Sequence, residues 1–429
     1  MTLAEELNGI LSGSVAGKLL SGLGRRMYFP KGIIAQSAEA KKSATRMNAT
    51  IGVAYKAGKP MSLPSIRNLL PALEPEEIFP YAPTQGIESL REAWKREIEK
   101  KNPDIAGKTF SVPLVVPGLT AGISTLADLF VDPHDVVIIP DLYWDNYPLI
   151  FETRCDARIV SFPFFTADRS GMNVAALAEA LHRESPRGKL VVLLNFPNNP
   201  TGYAPTRKEA ELIVSALEET ARGGTRLLVI LDDAYYGLFY ESDTCTRSLF
   251  GSLVDLHENL LAVKVDGSTK EHLTWGFRTG FVTFGSKGLT PEQYDALTKK
   301  LMGCVRSTVS NSSVVAQSLI ARALKSPTIE SEQLEAFRIL QERYRCVKSA
   351  IATKKSSVIE PLPFNSGYFM SFLLKRGKAE DLRKALLSTC GVGTIAMTEK
   401  ILRIAYSSVD TEKLVELYDL IYSTAEKVL

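Results

Sequence analysis

The chain has 429 residues, of which 45% are hydrophobic and 23% are charged, and its formal net charge is +3 from 51 basic and 48 acidic residues. This composition is typical of a globular protein with a large core and excludes a mainly disordered chain. The charges form no polybasic stripe and no acidic block, so we expect small molecules and a second copy of the chain as partners, and neither nucleic acid nor a membrane.

The cysteines and the apolar runs predict where the protein resides. The five cysteines are widely spaced without a Cys-x-x-Cys pair, which argues against a disulfide framework and a zinc site. The four histidines are not spaced as metal ligands. Residues 1–24 lack the basic start and long apolar run of a signal peptide, and no apolar run reaches the ~18 residues of a membrane span. We therefore expect a cytoplasmic protein without a metal site.

Short β-branched, apolar runs alternate with helical patterns from residue 108 to about residue 284. The predicted strands are residues 111–116, 135–139, 157–162, 190–195, 226–231 and 260–265. This alternation predicts an α/β fold with a mostly parallel, doubly wound sheet. Ligands of such sheets bind at the carboxyl ends of the strands, so we expect the active site there.

The last third of the chain has a different pattern. Helical periodicity runs through residues 314–324 and 331–352, and mixed strands and helices follow at 370–374, 401–406 and 411–428. We therefore predict a large domain over residues 56–310. A smaller α/β domain over residues 311–429 would be entered through the long helix.

Four features in the middle of the chain carry the chemistry. They are the run Asn-Phe-Pro-Asn-Asn-Pro-Thr-Gly at 195–202, Asp-Asp-Ala-Tyr at 232–235, Lys270, and Arg278 eight residues later. A lysine amine can form an imine, a carboxylate and a phenol can hold an aromatic ring, and an arginine can bind a phosphate. Each feature alone is weak, since Asn-Pro-Thr-Gly is also typical of turns, but their ordered combination is specific.

From about Gly52 to Arg403, this ordered set resembles the class I aminotransferases, in the aspartate and aromatic aminotransferase branch of the fold type I pyridoxal-phosphate enzymes. The resemblance implies pyridoxal 5'-phosphate as the cofactor and an aspartate aminotransferase-like fold. It also implies an amino-terminal segment, residues 1–55, that packs on the smaller domain.

The resemblance assigns four residues to the cofactor's ring and aldehyde. Lys270 matches the lysine that forms the imine and later carries the proton, for which its pKa must fall well below ~10.4. Asp232 matches the aspartate that pairs with the pyridine nitrogen and keeps it protonated. Tyr235 and Asn199 match the residues that hydrogen-bond the ring's phenolic oxygen. Asp233 is expected to point the other way, as a loop or solvent carboxylate.

Trp144 matches the aromatic residue that stacks on the cofactor ring, and Tyr143 beside it is a competitor for that role. Tyr147 and Asn198 stand where the family often has histidines. These departures give the chain features of more than one subgroup.

The cofactor phosphate is expected at the start of a helix over residues 121–130, where amides and the helix dipole favour an anion. The implied ligands are the amides of Leu119 and Thr120 and the side chains of Ser268, Thr269 and Arg278. The family serine three residues before the lysine is Gly267 here, so Ser268 or Thr269 is expected to supply the hydroxyl.

For the substrate, Arg403 matches the arginine that binds the α-carboxylate in bidentate fashion, with help from Asn199 and a backbone amide near Gly52. Arg306 matches the arginine that reaches across a dimer to the side-chain carboxylate of aspartate or glutamate. An exposed arginine at a helix end is the alternative reading of Arg306.

Tyr81 matches a tyrosine that contacts the phosphate of the neighbouring subunit, and Ser310 is a second candidate for such a contact. If Tyr81 and Ser310 make these contacts in this protein, each active site is built from two chains, and a homodimer with shared active sites follows.

The predicted function is transfer of an amino group to 2-oxoglutarate by a ping-pong mechanism, with aspartate as the favoured donor because of Arg306. One alternative is an aromatic or broad-specificity aminotransferase, and another is a lyase or decarboxylase with the same cofactor residues. A non-enzymatic cofactor-binding sensor is disfavoured, because only about 50 residues precede Ile51, too few for the DNA-binding domain of such regulators.

Overall fold

The computed structural model describes residues 2–10, 25–26 and 32–429. Most of residues 1–24, to which the signal-peptide prediction applies, lies outside the described residues. Within the described part, no helix combines the length and the apolar character that crossing a bilayer requires. Across the same residues, no group of three or more His, Cys, Asp or Glu side chains is placed to hold a metal ion.

The strands are short and the helices are longer, as in most α/β proteins. In chain order the strands are β1 Met47–Asn48, β2 Tyr55–Lys56, β3 Lys59–Pro60, β4 Leu114–Val116, β5 Val136–Pro140, β6 Arg158–Phe162, β7 Lys189–Asn195, β8 Arg226–Asp232, β9 Leu260–Gly267, β10 Gly280–Gly285, β11 Ile359–Pro361, β12 Met370–Leu374, β13 Val392–Gly393, β14 Ile395–Ala396 and β15 Ile401–Ile404. The helices are α1 Leu3–Ile10, α2 Ile33–Ser43, α3 Pro64–Arg67, α4 Pro75–Ile78, α5 Glu88–Lys101, α6 Leu119–Phe130, α7 Val174–Glu184, α8 Arg207–Arg222, α9 Leu249–Leu253, α10 Ser268–Glu271, α11 Pro291–Thr308, α12 Val314–Ala323, α13 Ile329–Ala352, α14 Ala379–Cys390 and α15 Thr411–Val428. Shorter helical turns lie at Leu70–Ala72, Pro103–Ile105, Ser185–Arg187, Trp275–Phe277 and Tyr406–Ser408, and a π-helical segment covers Leu149–Arg154.

A seven-stranded sheet in the order β4-β10-β9-β8-β7-β5-β6 forms the centre of the described chain. The five strands from β9 to β6 pair in parallel, whereas β10 runs antiparallel to both β9 and β4. All residues of β5 are buried, as are nearly all of β7 and β8, because helices cover both faces of the sheet. The predicted mostly parallel, doubly wound α/β fold is confirmed.

The six predicted strands all exist, and the differences lie at their ends and at β10. Residue 111 is outside β4, but the Ser111 backbone N–H still donates to the Phe284 carbonyl at 2.9 Å. Strand β10 was not predicted, since the four residues between Gly280 and Gly285 do not by themselves tell a strand from a loop. Helix α6 begins at Leu119, two residues earlier than predicted.

The carboxyl-terminal part contains a second sheet in the order β11-β12-β15-β14. The 24-residue helix α13 packs on α15, whereas α12 packs on α4 and α5. Strand β1 pairs in parallel with β13, which joins the chain near Met47 to the carboxyl-terminal part. The domain boundaries at residues 55 and 310 stay a prediction.

The strand register determines which side chains share the carboxyl edge of the large sheet. Asn195 ends β7 and lies opposite Asp232 at the end of β8, and Asp232 lies opposite Val265 of β9. Strand β9 leads directly into α10, which carries Lys270. The edge therefore collects an amide from β7, a carboxylate from β8 and an amine from the helix that follows β9.

Candidate active site

A cavity of about 210 Å³ opens at this carboxyl edge. It is lined by Leu119, Thr120, Trp144, Asn195, Asn199, Asp232, Ala234, Tyr235, Thr269, Lys270 and Arg278. Nine of these eleven residues were predicted cofactor ligands, while Asn195 and Ala234 were not assigned a role. The sequence-predicted residues from five separate segments therefore surround one space.

Lys270 occupies the short helix α10, and its Nζ atom lies 4.6 Å from the centroid of the Tyr235 ring. The pKa of the Lys270 amine is lowered to about 8, mainly by burial. The Arg278 guanidinium contributes to this lowering, and the Asp232 carboxylate offsets it only in part. A substantial fraction of the amine is therefore neutral near physiological pH, as a nucleophile and proton carrier requires.

Asp232 is 4% exposed and accepts a hydrogen bond of 2.6 Å from the Tyr147 hydroxyl. The backbone N–H of Ala234 donates to the other carboxylate oxygen at 3.2 Å. Burial raises the pKa of the Asp232 carboxyl, while the Tyr147 hydrogen bond and the Lys270 ammonium act in the opposite direction. Sequence reasoning noted Tyr147 only as a departure from the family, but the structure makes it the direct partner of Asp232.

Tyr147 and Trp144 lie close together in the segment after β5. Their rings are 5.5 Å apart and nearly perpendicular at 84°. Burial raises the pKa of the Tyr147 phenol well above its ordinary value, so it stays protonated and can only donate its hydrogen to Asp232. Trp144 lines the cavity, whereas its predicted competitor Tyr143 does not.

An asparagine pair and an arginine connect the cavity to the carboxyl-terminal sheet. Asn195 accepts a 2.8 Å hydrogen bond from the Asn199 backbone N–H and donates one of 2.8 Å to the Asp232 carbonyl. Arg403 donates at 2.8 Å both to the Asn199 side-chain oxygen and to the Thr50 carbonyl. Because Arg403 takes up the Asn199 side-chain oxygen, the amide nitrogen of Asn199 is left to donate to a ligand.

Arg403 itself is 2% exposed, and its guanidinium lies 4.4 Å from the centroid of the Phe369 ring. Burial lowers the pKa of the guanidinium to about 10, against the influence of Tyr235 and Asp145. Its Nε atom has no hydrogen-bond partner within the described part of the chain. A buried arginine with an unused N–H group is suited to bind a carboxylate.

Another part of the cavity lining is suited to an anion. Gly118 caps α6 at a φ of +90° without a side-chain hydrogen bond, so the amides of Leu119 and Thr120 stand at an open helix start. A side chain at Gly118 would collide with the Arg278 guanidinium, since an added Cβ would lie 2.4 Å from its Nη2 atom. Arg278 therefore lies directly against the beginning of the helix.

The structure distinguishes the two candidate hydroxyls before the lysine. Thr269 lines the cavity, and its buried hydroxyl has no hydrogen-bond partner among the described residues. The Ser268 hydroxyl accepts a hydrogen bond of 2.9 Å from Thr274 and does not line the cavity. Thr269 is thus the hydroxyl available to a ligand.

The backbone also explains why the family serine is replaced by Gly267. A Cβ atom at this position would lie 2.6 Å from the Thr279 carbonyl oxygen and 3.0 Å from the Gly280 Cα atom. Both neighbours are backbone atoms of the adjacent antiparallel chain, so they cannot move aside cheaply. A serine therefore does not fit at residue 267 with the backbone of this chain.

Gly52 and Asp233 complete the surroundings of the cavity. A Cβ atom at Gly52 would lie 3.2 Å from the Tyr235 hydroxyl, which puts the glycine next to the cavity although it does not line it. Asp233 does not line the cavity, as predicted, but it is only 6% exposed. The expectation of a loop or solvent carboxylate is therefore wrong, because a buried lysine, Lys264, is its partner.

Three predicted residues lie away from the cavity of their own chain. Arg306 is exposed in the last turn of α11 and hydrogen-bonds the Ser310 hydroxyl. Tyr81 is 92% exposed. The single chain does not bring these residues to the cavity.

Residues 47–421 match the family model described as aminotransferase class I and II. The aspartate aminotransferase of Bacillus sp. is 27% identical over 204 residues, which are 47% of this chain and 47% of that protein. The mitochondrial aspartate aminotransferase of Schizosaccharomyces pombe is 22% identical over 300 residues, which are 69% of this chain and 65% of that protein. The chain thus spans about half the length of the first relative and slightly less than two thirds of the second.

Solved structures share the fold over almost the whole chain. An aminotransferase from Anaerococcus prevotii has a TM-score of 0.83 at 24% identity, with 93% of this chain and 98% of that chain covered. The kynurenine aminotransferase of Pyrococcus horikoshii has a TM-score of 0.80 at 17% identity, with 97% of this chain and 99% of that chain covered.

Proposed function

Because the chain belongs to the class I and II aminotransferases, a family of pyridoxal-phosphate enzymes, we propose that it transfers an amino group from an L-amino acid to 2-oxoglutarate. The observation that carries the proposal is the convergence of Lys270 and Asp232, with Arg278 and the start of α6, on one cavity. An amine, a carboxylate and an anion site are the groups that this cofactor needs.

The residues around the cavity fit pyridoxal 5'-phosphate. The buried Thr269 hydroxyl, which no described residue engages, the α6 amides and Arg278 are donors for a phosphate. Asp232 is a carboxylate held by Tyr147, suited to a protonated ring nitrogen. Trp144 and Ala234 also line the cavity.

When bound, the cofactor supplies an aldehyde that condenses with an amine and a ring that withdraws electrons from the substrate's α-carbon. Lys270 would provide the amine that holds the cofactor, and its Nζ atom would carry the substrate's α-proton. Its lowered pKa of about 8 lets it both accept and return that proton. Asp232 keeps the ring nitrogen protonated.

The remaining residues orient the two ligands. Burial raises the pKa of the Tyr235 phenol, so it stays protonated and donates its hydrogen toward the ring oxygen, together with the Asn199 amide. Arg403 binds the substrate's α-carboxylate next to Gly52, where an added side chain would crowd Tyr235 and Phe369. This clamp holds the α-carbon hydrogen toward Lys270.

We further propose a homodimer with shared active sites and aspartate as the favoured donor. The support is the exposure of Arg306 and of Tyr81, which carry a charge and a hydroxyl on the surface without serving their own chain's cavity. Arg306 would then bind the donor's side-chain carboxylate in the partner's site. A cytoplasmic location belongs to the same proposal and is supported by five unpaired cysteines.

The donor proposal is tested by Arg306→Ala. We expect kcat/KM for aspartate to fall about 10- to 100-fold, the value of a hydrogen-bonded ion pair, and kcat/KM for phenylalanine to change less than about threefold. Steady-state kinetics with 2-oxoglutarate as the acceptor measure both values. Lys300→Ala, which removes an exposed cation from the same helix, is the matched control and should leave both donors unaffected.

Two other outcomes would redirect the assignment. If kcat/KM falls equally for aspartate and phenylalanine, or for neither, Arg306 does not bind the donor's side-chain carboxylate. That result would support an aromatic or broad donor range. Release of a keto acid or an amine without any acceptor would support the lyase or decarboxylase alternative.

Tyr147→Phe tests the support that Asp232 receives. Loss of the 2.6 Å hydrogen bond removes an interaction that lowers the pKa of Asp232. We expect the dissociation constant of pyridoxal phosphate to rise about tenfold near neutral pH, with a smaller change at higher pH, where Asp232 ionises without help. Equilibrium dialysis at several pH values measures this, and a loss that is equal at every pH would contradict the explanation.

A further inference from the structure

A buried cluster of three charged residues includes Asp233, the chain neighbour of Asp232, and does not line the cavity. The cluster, here called the Lys264 cluster, consists of Lys264 and Asp266 on β9 and Asp233 just after β8, which are 1%, 6% and 6% exposed. The Lys264 Nζ atom contacts the Asp233 carboxylate and lies 3.3 Å from the Asp266 carboxylate. None of the three lines the cavity.

Neutral groups hold both carboxylates of the cluster in place. The Ser248 hydroxyl donates to Asp233 at 2.6 Å, and the Trp94 indole N–H donates to Asp266 at 3.0 Å. The Lys264 ammonium lies 4.8 Å from the centroid of the Tyr236 ring. The ions are therefore removed from water and fixed by several elements, unlike a surface ion pair.

The cluster is electrostatically coupled to Asp232 through Asp233. The two aspartates are neighbours in the chain, and the Asp233 backbone N–H is held by the Val265 carbonyl at 2.9 Å. The charge of Asp233 adds to burial in raising the pKa of Asp232. Without a nearby cation, Asp233 would therefore work against the ionised form of Asp232 that the proposed cofactor requires.

Lys264 is the cation that offsets this charge. Burial by itself lowers the pKa of Lys264, but the Asp233 and Asp266 carboxylates outweigh it, so the pKa lies above the ordinary value and the ammonium stays charged. Burial raises the pKa of Asp266, and Lys264 counteracts that rise.

We propose that Lys264 is a positioning residue of the cofactor site, whose buried ammonium neutralises Asp233 and thereby keeps Asp232 ionised toward the ring nitrogen. The inference rests on the proposed function, since it concerns how this chain holds pyridoxal phosphate. It gives a role to a buried lysine that touches neither the cavity nor any predicted ligand.

Other titratable groups also surround Asp232 and Lys264. They are Tyr147, Lys270 and Asp233 around Asp232, and Asp233, Asp266, Tyr236 and Glu271 around Lys264, with Glu271 paired in turn to Lys101. All of these except Asp233 stay unchanged in the variants below. Their contributions, like that of the cofactor phosphate, are common to the compared proteins.

The test compares wild type with Lys264→Met, Asp233→Asn and the double variant. The readout is the pH dependence of the pyridoxal phosphate dissociation constant, measured by equilibrium dialysis on the full chain. Affinity falls as the pH falls through the pKa of Asp232, because the neutral carboxyl no longer pairs with the ring nitrogen. The midpoint of that fall therefore reports the ionisation of Asp232.

We expect the midpoint to move in opposite directions in the two single variants. Lys264→Met leaves Asp233 without its cation and should raise the midpoint by about one pH unit, the effect of one charge at an intermediate dielectric. Asp233→Asn removes the negative charge and should lower it by a similar amount. The double variant, which restores the net charge of the cluster, should return to within about 0.3 unit of wild type.

A merely structural role of Lys264 predicts something different. Lys264→Met would then lower the melting temperature and the cofactor affinity equally at all pH values, and the double variant would show no return of the midpoint. Either result overturns the proposal. If Lys264→Met fails to fold, Asp233→Asn decides alone, because an unchanged midpoint in that variant also overturns it.

Failure of this inference differs from failure of the proposed function. If wild type binds no pyridoxal phosphate at any pH, the proposed function falls and this inference falls with it. If wild type binds the cofactor with a pH midpoint that the variants leave in place, only the role of Lys264 is lost.

Discussion

Lys270→Ala is expected to reduce transamination by at least about a thousandfold, because no other described residue that lines the cavity carries a primary amine to form the imine and carry the proton. The side chain lines the cavity and lies over the Tyr235 ring, so its truncation removes the amine without removing core packing. Single-turnover conversion of aspartate, followed by the visible absorbance of the bound cofactor, measures the loss. Wild-type absorbance bands near neutral pH should be missing in the variant even when cofactor is retained.

The control for this variant is Lys287→Ala, which removes an exposed lysine just after β10. It should retain wild-type rates and spectra. Activity of Lys270→Ala within about tenfold of wild type would mean that another amine carries the chemistry, and the cofactor assignment of the cavity would fail with it.

The pKa of Lys270 gives the same prediction a pH dependence. Since the pKa is lowered to about 8, the neutral amine that attacks the cofactor aldehyde increases tenfold per pH unit below pH 8 and levels off above it. The rate at which pyridoxal phosphate combines with the cofactor-free protein should follow that curve. A rate that keeps rising to pH 10 would instead indicate an ordinary exposed lysine.

Asp232→Asn is expected to lower kcat by about a thousandfold, since a preorganised charge at the ring nitrogen is the main electrostatic support for the developing carbanion. Asparagine keeps the size of the side chain, and its amide oxygen can still accept the Tyr147 hydrogen bond, so the fold should persist although the amide nitrogen cannot accept the Ala234 N–H as the second carboxylate oxygen does. The variant loses the charge that holds the ring nitrogen protonated. It should therefore bind the cofactor more weakly and react far more slowly once saturated.

Steady-state kinetics at saturating cofactor separate these two effects. A loss confined to KM or to cofactor affinity, with kcat within about tenfold of wild type, would show that the charge of Asp232 serves binding and not the reaction. A melting temperature within a few degrees of wild type should accompany the expected result, because the hydrogen bonds of Asn195 and Tyr147 do not depend on the charge.

The large sheet and the end of β8 could be predicted because both depend on local patterns. Runs such as the buried residues of β7 and β8 have the composition of doubly covered parallel strands. A carboxylate that ends such a run emerges at the carboxyl edge of the sheet, so the position of Asp232 at that edge could be predicted from the sequence. Strand β10 was missed because its antiparallel pairing with β9 and β4 is a matter of partners rather than of composition.

The site was predictable where the chemistry depends on residue type in an ordered set, as for Lys270 and Arg278. It was not predictable where a role depends on which partner is nearest. Tyr147 became the partner of Asp232, and Thr269 rather than Ser268 lines the cavity. Asp233 was expected in solvent, since its sequence neighbours do not reveal that Lys264 approaches from the adjacent strand.

The sequence by itself determined the fold class, the family and the kinds of groups at the site, because these follow from hydrophobic periodicity and from the identities of residues in order. Only the tertiary structure decided that Gly267 excludes a side chain, that Arg403 hydrogen-bonds the Asn199 side chain, and that Lys264 pairs with Asp233. Such contacts join residues far apart in the chain. Their energies depend on distance and burial, which strand register and packing set and which local sequence does not record.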